Sequence, residues 1–289
     1  MTTVETASTP SPTKATFGNV LHSEWIKFRS VRSTLWCLGT FFSLMVGFSA
    51  LFCAITANQW GKHAEEVINF DPVTASLAGV TMGSLAIGVL GVLMVTAEYG
   101  NGSIRATFSA VPKRSQVLLA KVIILSLSVA AVTVVAEVIA FFLGQALLAS
   151  AKGTGQPIVI GPFTIPDSPP SVGWHDPGVL SALGATALYL VCLALITAGL
   201  GFLIRHTAGA ISAFVGILFP LFLLVILLPA VVKDRLEKFL PLQIQQTVVA
   251  SKPLAGTSVL TSWQGVAAMA VYGVILLGVG ALLLERRDA

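Results

Sequence analysis

Charge is what this chain has least of. Only 10% of its 289 residues are Asp, Glu, Lys or Arg, against 55% hydrophobic, where about 25% charged is usual for a soluble domain. That scarcity excludes an ordinary water-soluble globule. Cysteine is nearly as rare. Cys37, Cys53 and Cys192 all fall within apolar runs and form no CxxC pair, which argues against a metal or redox centre and leaves buried thiols. The four histidines, His22, His63, His175 and His206, are scattered over separate loops and flanks. The sequence has no G-x-x-x-x-G-K-[ST] phosphate loop, no H-E-x-x-H zinc helix and no G-x-S-x-G nucleophile elbow. No catalytic residue and no metal site can be named, and no cofactor is expected to bind this chain.

What the chain does have is long hydrophobic runs. Six of them, at 35–57, 73–97, 117–149, 179–204, 208–232 and 265–284, reach the roughly 20 residues a helix needs to cross a hydrocarbon core. They are continuously apolar rather than alternating, so strands of a barrel are excluded. The expected fold is an all-α integral membrane protein with six transmembrane helices. With both termini cytoplasmic, eleven Lys and Arg fall on the inner side and six on the outer, out of 17, as the positive-inside rule asks. Trp25, Trp36 and Tyr99 then sit near the inner interface, and Trp60, Trp174 and Trp263 near the outer one. The net charge of +4 reflects this topology, and nucleic acid is not an expected partner.

Residues 1–18 read as a disordered cytoplasmic tail rich in Ser, Thr and Pro, and 19–289 as one six-helix membrane domain. Within it, 19–33 reads as an amphipathic interfacial helix, with Leu21, Trp25, Phe28 and Val31 on one face and Glu24, Lys27, Arg29 and Arg32 over the rest. Residues 150–177 and 233–264 read as extracellular loops. The first is broken by proline and glycine. The second holds either a short amphipathic or re-entrant helix, with Val232, Leu236, Phe239 and Leu240 on its apolar face, or a solvated loop. The second span carries small residues at Ala75, Gly79 and Gly83, with Gly88 and Gly91 beyond, a row that lets backbones approach closely. Pro220 and Pro229 are expected to kink or interrupt the fifth span.

Two polar residues stand out inside the third span. Glu137 lies midway between Lys121 and Lys152, near the bilayer centre, where an intramembrane carboxylate suggests a substrate or ion path unless it simply hydrogen-bonds a neighbour. Gln145 follows on roughly the same face. Both are candidate translocation-path residues.

The densest polar stretch, 98–116, separates the second and third spans. Gly100 and Gly102 break the span after Glu98 and Tyr99, residues 103–109 have room for a short helix, and Pro112 stops it before Lys113 and Arg114. Asn101-Gly-Ser also matches a glycosylation sequon, on a side where it has no meaning. The stretch resembles the cytoplasmic motif of type-2 ABC exporter permeases, E-[YF]-x-x-G-[ST]-[IL]-[RK]-x-[TL] followed by P-x-[RK] and [AG]-K. The matching residues are Glu98, Tyr99, Gly102, Ser103, Ile104, Arg105, Thr107, Pro112, Arg114, Ala120 and Lys121. The approach to the first span, with Glu24, Trp25, Lys27, Arg29 and Arg32, is similar to the E-x-x-K…R…T stretch of the same family.

That resemblance implies a dimer of permeases, the second copy identical or related, in a bacterial plasma membrane. Each copy would pair with a cytoplasmic ABC ATP-binding subunit that holds ATP and Mg. It implies that Glu98, Gly102, Ser103, Ile104, Arg105, Thr107 and Phe108 form the ATPase-coupling segment. Glu98 would join that segment to the helix around Glu24, paired with Arg29, Arg32 or Arg105. Rival readings are an ion-coupled secondary transporter using Glu137, an intramembrane enzyme, for which the spans offer no second catalytic group, and a non-transporting sensory or immunity component.

Overall fold

The structure, a computed structural model, describes residues 16–60, 70–104, 114–151, 158–160, 163–252 and 259–287. It opens with α1 (Phe17–Ser30), whose first turn is capped by Thr16; the hydroxyl oxygen accepts from the Asn19 N–H at 3.4 Å. The backbone turns extended at Val31, and α2 (Arg32–Gln59) begins at once. The expected helix over 19–33 is therefore present, begun earlier and cut short by that bend.

Six helical segments among the described residues are long and apolar enough to cross a membrane. They are α2, α4 (Val80–Gly100), α5 (Arg114–Ala149), α6 (Val179–Ile204), the broken pair α7 (Thr207–Leu218) and α8 (Pro220–Ile226), and α11 (Ser262–Arg287). Helix α6 is the hub. It is apolar all round and packs on α4, α5 and α11, which is how a fully enclosed helix differs from one with a single buried stripe. Its side chains Tyr189, Leu190 and Ala194 are completely covered.

Close approach rests on the small residues of the second span, and it occurs inside the subunit. A Cβ added at Gly79 would collide with the Met45 backbone of α2, and one at Gly83 would press on the Phe41 ring at 3.0 Å. At Gly88 it would strike the Phe214 ring of α7, and at Gly91 the Thr197 hydroxyl and Ala194 carbonyl of α6. The row thus serves three neighbours in turn.

The second span is interrupted where the sequence reads as continuous. A short helix, α3 (Pro72–Ser76), starts with Asp71 as N-cap and Pro72 in the first turn, and α4 begins only at Val80. The break lets the Ser49 hydroxyl accept from the Gly79 N–H at 3.0 Å. The fifth span breaks at Pro220, which lacks the N–H to continue α7.

After Pro229 come α9 (Ala230–Leu236), which buries nothing, a 3₁₀ turn (Glu237–Phe239) and α10 (Pro241–Val249). Between the open readings of this segment the structure decides for helix. The packed part is α10, however, whose Ile244 and Val248 are fully buried against the α6 and α11 side. Leu236 and Phe239 stay exposed. The proline-rich loop holds one antiparallel ribbon, β1 (Ile158–Ile160) with β2 (Phe163–Ile165), a small departure from an all-helical chain.

The end of the bundle away from α1 is clamped by side chains. Asp71 accepts from the Val73 N–H, and also from the backbone N–H and hydroxyl of Ser251 at 2.7 and 2.8 Å. Gln145 donates to the Pro72 carbonyl at 3.1 Å and the Ser76 hydroxyl at 2.9 Å, and accepts from the Val172 N–H at 2.8 Å. Together they tie α3, α5, the ribbon-bearing loop and the segment after α10.

Candidate functional site

Four charged residues that lie 97 positions apart at the extreme meet at the α1 end of the bundle. Glu24 is on α1, Glu98 on the last turn of α4, Lys121 on the second turn of α5, and Lys27 one turn after Glu24. Glu24 is bidentate: Oε1 accepts from Lys27 Nζ at 2.7 Å and Oε2 from Lys121 Nζ at 2.7 Å. Glu98 Oε1 is shared by Lys121 Nζ at 2.8 Å and Lys27 Nζ at 3.3 Å. Two carboxylates and two ammoniums cancel, so the cluster is buried without net charge. Glu24 is 2% exposed and Lys121 4%. Charged groups are rarely covered to that degree unless paired.

The local reasons are legible. Helix α1 packs on α5 through Val20 against Val117 and Ala120. Positions 20, 24 and 28 share one helical face, so the same packing presses Glu24 inward. Glu24 thereby departs from the expected polar face. Trp25 and Val31, assigned to the apolar side, are 44% and 42% exposed, while Glu24, assigned to the polar side, is the covered residue. Trp25 stacks on Phe28, ring centroids 6.3 Å apart.

Two of the three expected partners of Glu98 are also corrected. Arg29 and Arg32 lie on the exposed surface of α1 and the start of α2, and the carboxylate pairs with the two lysines instead. The physical reason is facing: Lys27 lies one turn after Glu24, while Arg29 and Arg32 are turned away. Arg105, the third expected partner, lies outside the described residues. Glu98 Oε2 is buried and has no hydrogen-bond partner among the described residues.

Lys27 feels opposing influences. Burial pulls its pKa down, but the hydrogen bond to Glu24 and the nearby Glu98 carboxylate outweigh it and hold the group above its usual 10.5.

Beyond Glu98 the helix ends as the glycines predict. Asn101 is the C-cap of α4, and Gly102 adopts φ 72°, the left-handed region that costs glycine no Cβ clash. Asn101 then does what the sequence reading missed. Its Oδ1 accepts from the Ser103 backbone N–H at 3.1 Å and the Ser103 hydroxyl at 2.8 Å, which starts the next segment. The signal was the Asn-Gly-Ser tripeptide itself, read as a sequon instead of a turn. Ile104 is buried at 8%. Arg105, Thr107 and Phe108, with the rest of 105–113, lie outside the described residues.

The two candidate path residues are both buried, Glu137 at 1% and Gln145 at 8%. Gln145 is spent on the clamp described above. Glu137 Oε1 and the Thr133 hydroxyl one turn earlier have no hydrogen-bond partner among the described residues. No cluster of His, Cys, Asp or Glu suited to a metal ion occurs among the described residues.

No curated protein matches the chain significantly. Residues 20–161 match a family model described as ABC-2 family transporter protein, and that stretch contains all four members of the ion cluster. With this match over 20–161 and six helices among the described residues long and apolar enough to cross a membrane, the chain is similar to the membrane proteins of ABC-2 family transporters.

Proposed function

We propose that this chain is the membrane-spanning permease subunit of an ATP-driven exporter, and that the Glu24–Lys27–Glu98–Lys121 cluster is its mechanical joint. The cluster carries the reading. It fastens the end of α4, immediately before the Gly102 turn, to both α1 and α5 through charge-assisted bonds of 2.7 to 3.3 Å. A push on residues 102–109 would be passed to three helices rather than absorbed by a loose loop. Six spans would leave both termini on one side, the cytoplasmic side by the distribution of Lys and Arg. ATP and Mg would be bound by a separate cytoplasmic subunit. A second permease copy would complete the pathway in the bacterial plasma membrane.

The test is copurification. The tagged chain should capture an ATPase whose turnover depends on it, and Arg105→Glu or deletion of residues 103–107 should abolish the capture. Capture untouched by both changes would refute the coupling assignment. Glu137 favours a second reading, ion-coupled transport, because its Oε1 is buried in a span without a partner among the described residues. That reading requires cargo movement driven by an ion gradient without ATP, and its loss in Glu137→Gln.

A further inference from the structure

Glu98 and Tyr99 are neighbours in sequence, and on a helix adjacent side chains point about 100° apart. Glu98 turns toward α1 and α5. Tyr99 turns the other way, to the junction between α6 and α7. There the Arg205 guanidinium carbon lies 5.1 Å from the centre of the Tyr99 ring, within cation–π range. The same guanidinium reaches the Leu283 carbonyl of α11, Nη2 to oxygen 3.5 Å. Two residues along, the Thr207 hydroxyl at the start of α7 donates to the Thr96 hydroxyl of α4 at 2.9 Å.

The backbone at this junction is unusual. Arg205 ends α6 with φ 55°, and among the described residues it is the one non-glycine with a positive φ. Glycine is the favoured residue at such a helix end, because a Cβ is disfavoured there. The turn alone therefore does not call for arginine. What arginine adds is the side chain that touches Tyr99 and α11.

We infer that Arg205 is a positioning residue, the link through which the end of α4 moves α6, α7 and α11. The inference rests on the export reading and extends it. Residues 205, 207 and 283 lie beyond the matched stretch of 20–161, and the Glu98 cluster by itself reaches only α1 and α5. Adjacent residues thus divide one displacement between the two halves of the chain.

The variant that separates side chain from backbone is Arg205→Gly, which keeps the left-handed turn and deletes the guanidinium. In the full complex reconstituted with its ATPase, Arg205→Gly is expected to lower cargo-stimulated ATP turnover about fivefold or more, the usual scale of a coupling between sites. Arg205→Lys should recover part of it, since an ammonium still attracts the ring. Tyr99→Leu should match Arg205→Gly, Tyr99→Phe should stay near wild type, and the Tyr99→Leu, Arg205→Gly double variant should be no worse than either single change. Hydrogen exchange on the chain alone in nanodiscs supplies a readout that needs no ATPase. Arg205→Gly should speed exchange at the α11 end near Leu283 while leaving α1 unchanged. Unchanged exchange near Leu283, or unaltered turnover despite normal ATPase capture, overturns the inference alone. Failure of the wild-type chain to capture any ATPase overturns the export reading and takes this inference with it.

Discussion

Removing Lys121 is the sharpest test of the ion cluster, because the geometry fixes both the size of the effect and its ranking. Among the described residues, Lys121 Nζ is the only group within 3 Å of both carboxylates, at 2.7 Å from Glu24 and 2.8 Å from Glu98. In Lys121→Met the aliphatic stem is kept and the charge is lost. Two carboxylates, at 2% and 12% side-chain exposure, then keep Lys27 as their one cation among the described residues. Breaking a buried pair by deleting one partner costs about 3 to 5 kcal/mol. Lys27 still neutralises one carboxylate, which places the loss toward the lower figure. The Lys27 side chain is 37% exposed, so solvent screens its pairs and Lys27→Met should cost no more than about 1 kcal/mol.

At about 2 to 4 °C per kcal/mol for a chain of comparable size, Lys121→Met should lower the apparent melting temperature by roughly 6 to 12 °C. Lys27→Met should lower it by less than about 4 °C. The assay is thermal loss of the monodisperse peak of the detergent-purified protein. Adding Glu24→Gln to Lys121→Met should restore part of the loss, since the stranded charge is removed with its partner. Equal losses in the two lysine variants would refute the burial argument. A loss in Lys121→Met below about 2 °C would refute the pairing itself.

Other consequences are cheaper to check. Lys27 is held above its usual 10.5, so it adds stability fully below the unfolded value and loses it only as pH rises through the folded one. The melting difference between wild type and Lys27→Met should therefore stay constant from neutral pH to about 10 and shrink at higher pH. Gly91→Ala should destabilise by about 1 to 3 kcal/mol, because the new Cβ meets Thr197 and the Ala194 carbonyl. Gly47→Ala in α2, with nothing within 4 Å of the added carbon, should be neutral or stabilising by up to about 1 kcal/mol. Gln145→Leu should cost about 1 to 3 kcal/mol, since the Val172 N–H loses its acceptor and the two bonds to α3 vanish. Paired melting curves decide each of these.

The spans were legible because their signal is local. A run of some twenty apolar residues is helix in lipid whatever it packs against, so four of the six need only small changes at their ends. The break at 77–79 was not legible, since it depends on Ser49 and Met45 arriving from another helix. For the same reason α10 escaped notice. Its nine residues Pro241–Val249 contain three glutamines or threonines among the buried or half-buried positions, too short and polar for a span. They are covered because Tyr189 donates to the Pro241 carbonyl and Thr186 to that of Val248. Pattern reading finds what a segment does alone and misses what it does on arrival.

The cluster shows where that boundary runs. Each of its four members was singled out in the sequence, by resemblance or as part of a helix surface, yet their pairing with one another was not foreseen. Helical periodicity assigned Glu24 to the wet side of α1 because a carboxylate is normally solvated, and the family resemblance offered Glu98 an arginine partner because arginines were near in the motif. Both inferences treat charges one at a time. Burial is decided by the sum: two negative and two positive groups, each bonded within 3.3 Å, form a neutral body whose desolvation is offset by its own bonds. Lys121 lies within an apolar run that should tolerate no charge, and that misplacement was the readable sign. A lone lysine there demands a carboxylate, and two neighbouring helices, α1 and α4, supply one each.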